Sequence, residues 1–148
     1  MKKTTIPDMM GLFVIFQIVL HYFFPIKKVI FSPYIYLGIP LILLGLYWNW
    51  VWVANRFRRE KTTIDPNVMP SKFVTDGLFK FTRNPTYLGM VFTFIGISIM
   101  LGTISSFVIP VIFLILTDRF VIVIEEKNME KKFGKKYLNY KKRVRRWM

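Results

Sequence analysis

The sequence predicts an all-α integral membrane fold of four short transmembrane helices in a single domain over residues 1–148, and three observations predict it. Hydrophobic residues make up 53% of the chain, with 15 phenylalanines and a positive mean hydropathy, which makes lipid the expected solvent for most of its surface. Four apolar stretches follow one another along the chain. The basic residues, which bring the net charge to +14, gather beside one end of those stretches.

Residues 9–24 are the first stretch. Its 16 residues reach about 24 Å as a helix against a hydrocarbon core of about 30 Å, so flanking residues or local thinning must cover the difference. Gln17 and His21 lie four apart and share a face, which suits a hydrogen bond to another helix of the bundle. Lys2 and Lys3 ahead of this stretch would also fit a signal peptide, but no small-residue cleavage pattern precedes Pro25, and a membrane helix is the favoured reading.

Residues 34–54 are the clearest span, 21 residues without a charged side chain. Tyr47, Trp48, Trp50 and Trp52 crowd the end that leads to Arg56, as at a membrane interface. The first two stretches form an N-terminal helix pair over residues 1–55. Residues 87–101 and 103–124 are the third and fourth stretches, parted by Gly102 alone, and so predict a tight helical hairpin.

With Lys2, Lys3, the loop 56–83 and the tail on one side, that side collects nineteen Lys and Arg against Lys27 and Lys28 opposite. The positive-inside rule then places both termini in the cytoplasm, in an inner membrane. Membrane orientation thus accounts for the charge without a nucleic-acid partner. The absence of cysteine excludes disulfides and thiolate metal sites, and one histidine supports no metal centre.

The loop 56–83 is long for a compact protein, yet Pro66, Pro70, Gly77 and Pro85 punctuate it and Phe73, Val74, Leu78, Phe79 and Phe81 give it apolar anchors, so it reads as ordered. At its end Pro85 suits the first helical position and makes Asn84 the N-cap. Such a helix start is either an ordinary cap or a site for a carboxylate or phosphate. Glu125 and Glu126 end the fourth stretch at the same side, either as solvated charges pairing with Lys127 or Arg119, or with one carboxylate turned inward. Asp118 and Arg119, about 10 Å deeper at the helical rise, face a bundle interior or wet cavity, or snorkel to the interface. In the tail, Met129, Phe133, Tyr137, Tyr140, Val144 and Trp147 repeat at helical spacing, so an amphipathic helix is expected with Gly134 breaking it midway.

From Ser71 onward the sequence resembles the membrane methyltransferases that include isoprenylcysteine carboxyl methyltransferases and bacterial phospholipid methyltransferases. The resemblance rests on FVTDGLF at residues 73–79, RNPTYLG at 83–89, a helical hairpin, Glu125–Glu126, FGKKY at 133–137 and Tyr140, in that order. It covers about half the chain. It implies that residues 56–148 are a cofactor-binding unit, in which the loop, the helix start and the C-terminal helix close a pocket for S-adenosyl-L-methionine. The implied contacts are Ser71, Lys72, Phe73, Val74 and Phe79 in the loop, Asn84, Pro85, Thr86 and Tyr87 at the helix start, and Glu125. Arg83, Arg119 and Glu126 are the implied substrate-orienting, catalytic candidates. The implied acceptor is a lipophilic or amphiphilic small molecule beside membrane lipid.

Two departures narrow the acceptor. Many members have His where this chain has Asn84, and Asn cannot act as a base at neutral pH. The prenylcysteine enzymes carry a substrate-binding Arg where this chain has Val121, which argues against a prenylcysteine carboxylate. A small four-helix transporter subunit and a non-catalytic lipid-binding anchor are the rival readings.

Overall fold

The computed structural model describes residues 6–61 and 70–148, so Lys2, Lys3 and Pro66 lie outside the described residues. Most of those residues are helical. Helix α1 is Ile6–Phe23, α2 Gly38–Leu46, α3 Ala54–Arg59, α4 Pro85–Leu101, α5 Ile104–Leu116, α6 Ile122–Phe133 and α7 Lys135–Arg143.

A π-helical segment, Tyr47–Val53, joins α2 to α3, and another, Thr117–Val121, joins α5 to α6. Tyr34–Arg59 and Ile104–Phe133 are therefore continuous helices of 26 and 30 residues, long and apolar enough to cross a membrane, while Asp8–Phe23 and Pro85–Leu101 are shorter apolar helices. The fourth stretch thus runs past the predicted end at residue 124. Lysines and glutamates beyond that point are good helix formers, and no Gly or Pro interrupts them before Gly134. There the backbone turns to φ 50°, ψ −128°, which ends α6 and starts α7.

Glycines set the tightest contact. Helix α2 packs antiparallel on α4 with Gly38 against Gly96 and Gly45 against Gly89. A Cβ on Gly38 would lie 2.2 Å from the Gly96 carbonyl oxygen, and one on Gly45 2.3 Å from that of Gly89. No side chain fits there, so the two backbones touch. On other faces of α4, Tyr87, Met90, Val91 and Phe94 join Phe113 of α5 and Ile122 of α6 in the core, and Phe13 of α1 packs against it. The outward side chains of α1 and α5, including Phe16, Ile15, Val111 and Ile115, are apolar and exposed, as a lipid-facing surface requires.

Polar side chains join the helices inside this shell. The buried Gln17 Nε2 donates to the Phe94 carbonyl at 2.9 Å and the Ser98 hydroxyl at 2.6 Å, and His21 hydrogen-bonds Thr103 at 3.0 Å. The shared face predicted for Gln17 and His21 is used as expected. Nearby, Gly102 adopts φ 73° to cap α4, and its carbonyl accepts from Val29 N–H at 2.8 Å. The α1–α2 connection and the α4–α5 turn therefore share one end of the bundle, and the α4 start stands at the other.

Candidate functional site

The α4 start is reached through a loop held down at three points. Arg56 forms an ion pair with Asp76 (Nε to Oδ1, 3.0 Å), Gly77 lies against the Trp52 ring, and Phe79 packs on Trp52 and Phe57. Phe73 stacks on Phe133 with ring centroids 5.2 Å apart and meets Tyr140 edge-on, while the Tyr140 hydroxyl donates to the Phe79 carbonyl at 2.7 Å. Phe133, Tyr137 and Tyr140 of the tail's aromatic stripe pack on Phe73 of this loop, but α7 ends at Arg143, so Val144 and Trp147, expected on the same helix, follow in non-helical backbone. Burial raises the pKa of the Tyr137 and Tyr140 phenols above the ordinary tyrosine value.

Asn84 occupies the N-cap position of α4, with Pro85 opening the helix as predicted. Its side chain does not cap that helix. Instead Nδ2 donates to the Arg146 carbonyl at 2.9 Å, because the chain after α7 runs back across the helix start. The Thr82 hydroxyl donates to the same carbonyl at 3.1 Å, and Arg83 N–H donates to the Arg145 carbonyl at 3.1 Å.

The two adjacent carboxylates of α6 have different surroundings. The Tyr87 hydroxyl donates to Glu125 Oε1 at 2.6 Å. Glu126 is buried and gathers three cations, Arg83 at 2.9 Å, Arg146 at 2.9 Å and Lys141 at 3.3 Å. Those partners come from distant parts of the chain rather than from Lys127 or Arg119. Lys141 also meets Glu130 at 2.7 Å, a hydrogen bond that raises its pKa above the ordinary lysine value. The hydrogen bond to Glu126 likewise raises that of Arg146.

Asp118 faces this assembly, accepting from Arg146 Nη1 at 3.1 Å and from Trp147 Nε1 at 2.9 Å. Arg119 does not join it: its side chain is 78% exposed and comes no nearer than 4.0 Å to Asp118. Arg83, Asn84, Tyr87, Glu125 and Glu126 therefore share one rim, with Pro85 buried and Thr86 half-buried beside them. Phe73 and Phe79 flank that rim through Tyr140, and Val74 is half-buried beyond Phe73. Ser71 and Lys72 sit further out, toward the Lys61 carbonyl and Glu60. A hollow of about 470 Å³ lies against Lys135, Leu138, Asn139, Lys141 and Lys142 of α7.

Arg146 and Lys141 are rim residues that the sequence pattern did not single out, and Trp147 enters that pattern only as part of the tail's stripe. Its hydrogen bond is with Asp118 rather than with the loop. Arg146 carried no signal, being one of many basic residues in the tail.

A sequence profile of the phospholipid methyltransferase family matches residues 33–136. An uncharacterised protein of Haemophilus influenzae is 34% identical over 62 residues, which are 42% of this chain and 98% of that protein. No solved structure matches the chain.

Proposed function

Because this chain belongs to the phospholipid methyltransferase family, we propose that it moves a methyl group from S-adenosyl-L-methionine to an amphiphilic small molecule, with a phospholipid headgroup amine as the first candidate. The proposed setting is the cytoplasmic rim of four membrane-crossing helices, with both termini on that side. The observation that carries the reading is the pairing of Tyr87 with Glu125 at 2.6 Å beside the Asn84 helix start. Among the described residues Glu125 has no ion pair, while its neighbour Glu126 has three.

That contrast is the test of fit. A half-buried carboxylate that accepts from a phenol and has no ion pair retains its attraction for a cation, whereas one already neutralised does not. The donor has both a cationic sulfonium and an anionic carboxylate. The residues present suit the two: Glu125 and the Tyr87 ring favour the sulfonium, and the α4 start with Asn84 favours the carboxylate.

When bound, the donor supplies an electrophilic methyl that passes to the acceptor's lone pair as the carbon–sulfur bond breaks. Glu125 and Tyr87 would hold the donor's cation, where orientation contributes most. The core residues Met90, Phe94 and Phe113 exclude water behind them. A site that only orients the donor and stays dry would meet the main requirement of the transfer. No protein nucleophile is needed.

Calorimetric titration of the detergent-solubilised protein with S-adenosylhomocysteine tests the proposal. Micromolar binding is expected, and titration with S-adenosylmethionine, which carries the sulfonium, should weaken about tenfold or more in Glu125→Ala and Tyr87→Ala. A folded sample that takes up no ligand would return the chain to the transporter or anchor reading.

A further inference from the structure

Arg146 lies ten residues past the end of the family match, in a segment without helical structure, yet it contacts both halves of the rim. Its carbonyl accepts from Asn84 Nδ2 at 2.9 Å and Thr82 Oγ1 at 3.1 Å. Its guanidinium grips Glu126 as a fork, Nη2 to Oε2 at 2.9 Å and Nε to Oε1 at 3.3 Å. The remaining edge reaches Asp118, Nη1 to Oδ1 at 3.1 Å and to the carbonyl at 3.3 Å. One residue thus fixes the amide at the helix start and the carboxylate next to Glu125.

From this geometry we infer that Arg146 is a positioning residue for the methyl donor: through its carbonyl it orients Asn84, and through its guanidinium it consumes the charge of Glu126, leaving Glu125 as the carboxylate that meets the donor's cation. The inference rests on the proposed methyl-donor reading and adds a residue to it. Planar fork geometry is what Arg supplies and Lys does not. Arg83 and Lys141 also neutralise Glu126, but Arg83 meets the tail through other groups, Nη1 to the Lys141 carbonyl at 3.0 Å and its backbone N–H to the Arg145 carbonyl at 3.1 Å, and neither residue bonds Asn84.

A positioning role and a purely structural one predict different ligand responses. A side-chain substitution keeps the backbone carbonyl but releases the guanidinium's grip on Glu126 and Asp118, so the tail that carries the carbonyl is freed and Asn84 loses its orientation, which weakens every donor-like ligand; loss of a nearby positive charge favours a cationic ligand over its neutral analogue. S-adenosylmethionine carries the sulfonium and S-adenosylhomocysteine a neutral thioether, so the ratio of their Kd values isolates the charge.

The test measures both Kd values in the solubilised wild type, Arg146→Met, Arg146→Lys and the exposed control Arg143→Ala, each checked for folding by its melting temperature. For Arg146→Met, the Kd of S-adenosylhomocysteine is expected to rise about tenfold, and that of S-adenosylmethionine to rise severalfold less. Arg146→Lys should return the ratio to the wild-type value while affinity for both stays reduced, and it carries the test if the Met variant does not fold. Arg143→Ala should match wild type. Unchanged binding in both Arg146 variants, or equal weakening of both ligands that Lys fully restores, overturns the inference. A wild type that binds neither ligand refutes instead the donor reading on which it stands.

Discussion

Replacing Glu126 with alanine removes one anion from three cations. Arg83, Arg146 and Lys141 stand 2.9, 2.9 and 3.3 Å from its carboxylate, and the Arg83 and Glu126 side chains are 9% and 6% exposed. At an effective dielectric of about 20, an ion pair at about 4 Å gains about 4 kcal/mol of attraction before desolvation is counted. Breaking a buried pair from one side costs about 3–5 kcal/mol. Arg83→Met removes one of three attractions and leaves the carboxylate compensated, so about 1–2 kcal/mol is expected. Glu126→Ala leaves the buried Arg83 without its anion, while Arg146 and Lys141 keep Asp118 and Glu130, so about 3–5 kcal/mol is expected. In the double variant, removing Arg83 takes away that unpaired charge, so the loss should fall short of the sum of the single losses by about 1–3 kcal/mol. Thermal unfolding in detergent, followed by tryptophan fluorescence and helical circular dichroism, reads all three. Equal losses for the two single variants, or a double variant that equals their sum, would refute the view of Glu126 as the hub.

Three further outcomes follow from other contacts. Gly45→Val should destabilise by about 3 kcal/mol or more through overpacking, since its Cβ would lie 2.3 Å from the Gly89 carbonyl oxygen; Gly11→Ala, which meets nothing within 4 Å, should gain about 0.5–1 kcal/mol in the same melts. Tyr140→Phe loses the 2.7 Å bond to the Phe79 carbonyl, costs about 1 kcal/mol, and should speed amide exchange across residues 77–81. Burial raises the Tyr137 and Tyr140 phenols, so their contribution is complete below the unfolded tyrosine pKa of about 10 and is lost as pH climbs beyond it. Melting temperature should therefore fall on the alkaline side, and a Tyr137→Phe/Tyr140→Phe chain should show a flatter decline.

Apolar length was enough to read the helices, because it is an average over many residues. The Gly102 hairpin and the Gly134 break were legible for a local reason, the positive φ that each adopts. What stayed hidden depended on contacts between distant residues. Asn84 in sequence is a helix cap, but the returning tail offers its amide a carbonyl, and that competing acceptor cannot be seen in a window of neighbours. Glu126 would by proximity pair with Lys127, yet a helix sends adjacent side chains to different faces, and its partners come from residues 83, 141 and 146. The π-helical segments carry no sequence rule that would have placed them.

The glycine crossing between α2 and α4 has a consequence for traffic through the bilayer. Two helix backbones in contact leave no slot wide enough for an acyl chain, and the packing of Gly45 on Gly89 puts that sealed seam close to the Tyr87 end of α4. On the function proposed above, a lipid-borne acceptor would have to approach the rim around another flank of α4, with this seam as a fixed wall beside it.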